Sequence, residues 1–202
     1  MDKRVAVMGG TFDPIHLGHL VVAQEVADEL GLDRVLFVPS GQPPHKQGAK
    51  VTAAELRAEM VRLAIADNPC FQLCLLELER PGPSYTYDTV RQLLDQGNYQ
   101  ELYFITGADA VLEILTWHRV RELLALCHFI AVTRPGFELE QLREVQGRLG
   151  TQLGQRIRPF TVPSLAISSS DIRARVARGK SIKYLVHPEV EKFIVNNNLY
   201  RF

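Results

Sequence analysis

The chain has 202 residues, 46% of them hydrophobic, enough to bury a sizeable core within one domain. Lys plus Arg equals Asp plus Glu at 23 each, so no global field gathers a polyanion, which argues against duplex DNA or RNA as the main partner but leaves room for a small anion in a local pocket. The N-terminal MDKRVAVMGG has too short an apolar run for a signal peptide, and no stretch approaches the ~20 apolar residues of a membrane helix; a cytoplasmic protein without membrane contact is expected. Cys70, Cys74 and Cys127 are odd in number, lack C-x-x-C spacing and sit among apolar neighbours, so they read as small buried hydrophobes.

Strand and helix patterns alternate. RVAVMG from Arg4 predicts a buried strand, and LVVAQEVADELG predicts a helix stopped by Gly31. RVLFVPS is a second strand closed by Pro39, and TAAELRAEMVRLAIAD a helix with Thr52 as N-cap and Glu55 three residues on. FQLCLLELE reads as a third strand, TYDTVRQLLDQGN as a helix ending at Gly97, ELYFITG as a fourth strand and HFIAVTRPG as a fifth. RIRPFTVP fits a sixth strand; SSDIRARVARGK and HPEVEKFIVNNN predict terminal helices, the second with Pro188 near its first turn. SGQPPHKQGAK, residues 40–50, reads as an exposed loop. The alternation predicts an α/β fold, a Rossmann-like doubly wound parallel sheet with helices on both faces, in a single domain spanning residues 1–202. Such sheets bind ligands beyond the carboxyl ends of their strands, near a switch point.

GGTFDPIHLGH, Gly9 to His19, lies at that end of the first strand. It is neither G-x-x-x-x-G-K-[ST] nor G-x-G-x-x-G. Yet Gly9 and Gly10 would let the backbone approach a ligand, the N–H groups of the following helix would face an anion, and His16 and His19, at i and i+3, would aim at one phosphate. Two other readings stand beside this one: a tight Gly-Gly turn with ordinary surface histidines, and a zinc site, for which no third ligand is evident.

This stretch resembles the T/H-x-G-H signature of the nucleotidylyltransferase superfamily, and ISSSDIR, Ile167 to Arg173, resembles its I-S-S-T-x-[IV]-R motif, with Ser170 where Thr is usual. PPHK ending at Lys46, SYTYDT from Ser84 and GADAVLEILTWHR from Gly107 are together similar to the bacterial nicotinate mononucleotide adenylyltransferases. The resemblance implies a transferase of NAD biosynthesis that joins nicotinate mononucleotide to ATP, giving deamido-NAD and pyrophosphate. It implies catalytic roles for His16, His19, Lys46 and Arg173. ATP contacts are implied from Gly9, Gly10, Thr11, Phe12, His16, His19, Gly107, Asp109, Ile167, Ser168, Ser169 and Arg173, with the helical part from about residue 165 onward completing the ATP site. Mononucleotide contacts are implied from Lys46, Thr86, Trp117 and Arg134. Mg2+ is expected with ATP and needs no dedicated protein ligand. Asp109 could equally cap the helix after it, Trp117 could be core, and Ser168 to Ser170 could serve only as caps. The alternatives are another acceptor (phosphopantetheine or nicotinamide mononucleotide), CTP as donor, or a nucleotide-binding protein without turnover.

Overall fold

The computed structural model describes residues 3–43, 51–97, 99–133, 137, 139–163 and 165–201. Six parallel strands form one sheet: β1 (Arg4–Gly10), β2 (Arg34–Pro39), β3 (Phe71–Leu73), β4 (Glu101–Gly107), β5 (His128–Thr133) and β6 (Ile157–Thr161), in the order β3-β2-β1-β4-β5-β6. The strand order reverses between β1 and β4, which makes their carboxyl ends the switch point.

Alternation along the strands builds two cores. Ala6, Met8, Val35, Phe37 and Ile105 face one side, covered by α1 (Leu17–Leu30), α2 (Ala54–Ala64), α9 (Ser169–Ala177) and α10 (Pro188–Asn196). Val5, Val7, Leu36, Phe104 and Phe129 face the other, covered by α3 (Leu76–Glu79), α4 (Thr86–Gln96), α5 (Ala108–Leu112), α6 (Val120–Leu126) and α7 (Leu139–Leu149). A one-turn helix, α8 (Thr151–Gly154), leads into β6. A sheet apolar on both faces must be covered on both, so this chain folds as a three-layer sandwich.

Gly31 ends α1 in the left-handed region at φ 57°, as expected, and Pro188 occupies the first turn of α10. Three expectations fail locally. FQLCLLELE is a strand only to Leu73; the chain then turns so that Leu76 enters the second core and Glu77 is buried, accepting a 2.6 Å hydrogen bond from Thr89 Oγ1. Thr52 does not cap α2, whose N-cap is Ala53; its N–H donates to Asp13 Oδ2 (3.3 Å) and its carbonyl accepts from Arg57 Nε (2.8 Å), so it is engaged with the loop after β1. Of the three cysteines only Cys127 is fully buried; burial pushes its thiol up to about 12, which keeps it inert. Helices α6 and α8 are short, seven and four residues, whereas α7 has an apolar stripe, Leu142, Val145 and Leu149, that the sequence reading passes over. Among the described residues no helix is long and apolar enough to cross a membrane.

Candidate active site

The loop after β1 is held from behind. Both glycines stay in the strand, Gly9 opposite Val38 and Gly10 opposite Pro39, and the turn is made instead at Phe12, in the left-handed region at φ 48°. A Cβ on Gly10 would stand 3.1 Å from the Phe12 ring, so the bare backbone makes room for that ring. The carbonyls that follow are gripped in turn. Arg57 Nη1 donates to Thr11 O (2.7 Å), Arg173 Nη1 to Asp13 O (2.6 Å) and Ser169 Oγ to Pro14 O (2.8 Å). The buried Asp13 carboxylate accepts from Tyr200 Oη (2.7 Å) and from the Thr52 N–H. Two segments far apart in sequence, Gly9–His19 and Ile167–Arg173, thus meet through hydrogen bonds.

His16 is buried at the N-cap of α1, and His19 follows in its first turn. Their rings stack with centroids 3.6 Å apart, and the His16 N–H donates to His19 Nδ1 at 3.2 Å. An Nδ1 that accepts leaves the proton of the neutral imidazole on Nε2, so His19 can offer one N–H as a donor. The Phe12 ring meets His19 edge-on at 5.1 Å. A Cβ on Gly18 would lie 3.0 Å from His16 Nδ1, so glycine there is what lets the His16 ring lie flat against its partner. Burial holds His19 well below its ordinary range, and the His16 ring adds to the shift. The unfolded chain, with an ordinary imidazole near pH 6.5, binds this proton more readily than the folded one. Stability is therefore lost as pH falls through that value. The melting temperature should drop between pH 7 and pH 5 by more in the native protein than in His19→Gln; equal drops would show that His19 is not held neutral.

A cleft of about 610 Å³ opens at the switch point. Gly9, His16 and His19 line it from the first segment, Gly107 and Asp109 from the end of β4 and start of α5, and Ile167, Ser168 and Ser169 from the last segment. Asp109 is exposed in the first turn of α5, whose N-cap is Gly107, so it does not cap that helix. Ser168 does cap α9, accepting from the Asp171 N–H at 3.2 Å, and still lines the cleft. Thr11, Phe12 and Gly10 lie in or beside the supporting loop rather than on the cleft wall, and the half-buried Arg173 is bonded to that loop at Asp13 O.

The residues expected around the mononucleotide gather elsewhere. Thr86 opens α4 next to Tyr85, whose ring stacks on His118 at 4.6 Å. Arg119, itself left-handed at φ 53°, lies 4.0 Å over the Tyr87 ring. Trp117 is half-buried with edge contacts to Phe104 (6.2 Å) and Phe129 (5.9 Å). Phe104 also comes within 3.2 Å of a Cβ built on Gly9, so Gly9 stands between the cleft and this aromatic cluster. Nearby, Ser84 Oγ accepts from the N–H groups of Gly41 and Gln42 (3.0 and 3.2 Å), tying the segment after β2 to the start of α4. Lys46 and Arg134 lie outside the described residues.

Residues 7–175 match the family model described as cytidylyltransferase-like. The chain belongs to the cytidylyltransferase-like family. Family relatives extend over its whole length. A protein of Moorella thermoacetica named "Probable nicotinate-nucleotide adenylyltransferase" is 54% identical over 199 residues, covering 98% of this chain and 92% of its own. One of Thermoanaerobacter sp. (strain X514) with the same name is 51% identical, covering 99% and 95%. Among solved structures, Plasmodium falciparum nicotinic acid mononucleotide adenylyltransferase complexed with NaAD superposes with a TM-score of 0.77 at 24% identity, over 98% of this chain and 97% of that one, which establishes the shared fold.

Among the described residues no group of three His, Cys, Asp or Glu side chains could hold a metal ion. The residues that sequence reasoning passed over are Asp13, Arg57 and Tyr200. For Arg57 a signal existed: it stands in phase with Met60, Val61 and Ala64 on the buried face of α2, where a cation is out of place unless it has buried acceptors.

Proposed function

We propose that this protein is a nicotinate-nucleotide adenylyltransferase acting in NAD biosynthesis, its substrates ATP and nicotinate mononucleotide, as the names of its 54% and 51% identical relatives support. The observation that carries the reading is the convergence of His16 and His19 with Ser168 and Ser169 on one cleft at the switch point.

A phosphate oxygen of the mononucleotide attacks the α-phosphorus of ATP in line. One P–O bond forms there, the bond from that phosphorus to the oxygen bridging to the β-phosphate breaks, and pyrophosphate leaves with the electron pair. The nucleophile is already an anion, so the site needs no base and no covalent intermediate; it needs alignment and donors that meet charge as it develops. His19 supplies the Nε2 N–H to the α-phosphate. His16 and the first turn of α1 hold the reacting phosphates. Ser168, Ser169 and the N-terminus of α9 receive the outer phosphates, with Arg173 and Lys46 as cations. Gly9, Gly107, Asp109 and Ile167 bound the nucleotide, Gly10, Thr11 and Phe12 support them from the loop after β1, and residues from about 165 onward complete its site within one domain. Mg2+ bound with ATP would supply neutralisation of phosphate charge and would need few protein ligands; Asp109, the single carboxylate among the described residues lining the cleft, is the residue that would be at hand for it. The mononucleotide side consists of Lys46, Thr86, Trp117 and Arg134.

Pyrophosphate release with ATP and, in turn, nicotinate mononucleotide, nicotinamide mononucleotide and phosphopantetheine tests the reading. Turnover is expected with nicotinate mononucleotide; none with either pyridine mononucleotide would end it. Trp117 is half-buried, in T-shaped contact with Phe104 and Phe129, and its exposed part offers aromatic surface to the pyridine ring. Trp117→Leu should raise KM for the mononucleotide by about 10-fold, the scale of one lost stacking contact, and leave kcat nearly unchanged. An unchanged KM would make Trp117 a core residue only.

A further inference from the structure

Arg57 is 1% exposed, a cation sealed into the core of a molecule whose other arginines are mostly at the surface. Burial works against its charge, and the nearby Asp13 is the first group to offset that cost. A buried cation can be replaced by apolar packing with little loss of stability, so its presence calls for a task that packing cannot perform. The guanidinium fork spends its donors on three backbone carbonyls from three separate segments: Thr11 O at 2.7 Å from Nη1, Ser40 O at 2.7 Å from Nη2 and Thr52 O at 2.8 Å from Nε. Ser40 in turn donates its N–H to Gly10 O at 2.9 Å. The guanidinium therefore fixes the direction of the peptide between Thr11 and Phe12, at the point where Phe12 takes its left-handed conformation. Phe12 then places its ring edge-on to His19.

We propose that Arg57 is a positioning residue for adenylyl transfer: by pinning the carbonyls of Thr11, Ser40 and Thr52 it holds Phe12 in its left-handed turn, and Phe12 holds the His19 ring in its working orientation. The inference rests on the adenylyltransferase reading given above. The planar guanidinium presents its donors on three separate nitrogens, one for each of these carbonyls, whereas a lysine ammonium gathers its three donors on a single atom. Lysine at this place would keep the charge but satisfy fewer of them, and the Thr11–Phe12 peptide would be free to rotate. A displacement of the imidazole by about 1 Å costs on the order of 100-fold in rate without weakening substrate binding. The signature of the role is therefore a loss in kcat with KM preserved, shared with Phe12 and visible at His19.

The test uses Arg57→Lys, Arg57→Gln, Phe12→Leu and the double variant Arg57→Lys/Phe12→Leu, with folding followed by melting temperature. The folded Arg57 variants should lose about 10- to 100-fold in kcat while KM for ATP and nicotinate mononucleotide stays within about threefold. The double variant should be no slower than the slower single variant, because both changes cut the same link. Independently of turnover, ring-15N NMR should show the His19 nitrogen shifts moved in Arg57→Lys, so a failure of the catalytic reading and a failure of this inference remain distinguishable. Wild-type kcat in a folded variant, multiplicative losses in the double variant, or unmoved His19 shifts would overturn the proposal. So would unfolding of both Arg57 variants, which would make Arg57 a residue of the fold alone.

Discussion

His19→Ala should lower kcat by about 100- to 1,000-fold, the range for losing one donor aimed at charge that develops in the transition state. His19 lines the cleft, and its Nδ1 accepts the His16 N–H at 3.2 Å, which leaves the Nε2 N–H as the donor this neutral imidazole can offer. Alanine removes that donor and leaves the backbone of α1 intact. The His16 ring, stacked at 3.6 Å on the ring that is lost, would gain freedom, and part of the deficit would come from there. His19→Asn offers an amide N–H over a shorter reach and should recover a fraction of the rate. The alanine variant should lose some stability near pH 7, because the ring stacks on His16, contacts Phe12 and accepts the N-cap N–H, so a melting curve must show that it stays folded at the assay temperature. Steady-state kinetics of pyrophosphate release with a melting curve decides the matter. Turnover like that of the native protein in a folded His19→Ala would remove this imidazole from the chemistry.

Arg173→Ala is expected to lower kcat/KM for ATP by about 100-fold, equivalent to about 2.7 kcal/mol of transition-state stabilisation. The guanidinium makes one hydrogen bond among the described residues, from Nη1 to Asp13 O, so its other donors are available to phosphate oxygens. The same bond gives the variant a second effect. It leaves a half-buried carbonyl of the loop after β1 without its partner, which should lower the melting temperature by several degrees. The two effects separate in Arg173→Lys, which restores the charge for phosphate but not the planar fork. Kinetics against ATP at saturating mononucleotide measure the first effect, and a thermal melt the second. If the folded alanine variant kept both kcat and KM for ATP, Arg173 would only support the loop, and the anion site would lie with the serines and the helix N-terminus alone.

These two residues differ in how legible they were. His19 stands in a local pattern: a Gly-Gly pair ending an apolar run, then two imidazoles three apart. Helical spacing predicts those rings on one side of a turn; His16 is instead the extended N-cap and His19 lies in the first turn, and the rings stack across that junction. Arg173 is legible only as part of a motif, and the structure bonds its guanidinium to Asp13 O of the loop after β1, 160 residues away. The strands show the same division. β1, β2, β4 and β5 are apolar on both faces and were readable as runs. FQLCLLELE was misread in its second half because an apolar run of that length fits a strand or a buried helix equally well. The decision came from Leu76 packing under the sheet and from the hydrogen bond that lets Glu77 be buried. Thr52 has the spacing of a helix cap, but its carbonyl accepts from Arg57 within that helix and its N–H is taken by Asp13, 39 residues away and outside any local pattern.

What the sequence by itself determined here is whatever depends on neighbours a few residues apart: the alternation that makes an α/β sheet, the stop at Gly31, the first turn of α1 with its two histidines. Those features follow from backbone geometry and side-chain period, which act over one or two turns. Only the tertiary structure decided which distant groups satisfy which buried polar atoms. Arg57, Arg173, Ser169 and Tyr200 all converge on the loop between Thr11 and Ile15, because its carbonyls and the Asp13 carboxylate, once removed from water, must find donors wherever the fold brings them.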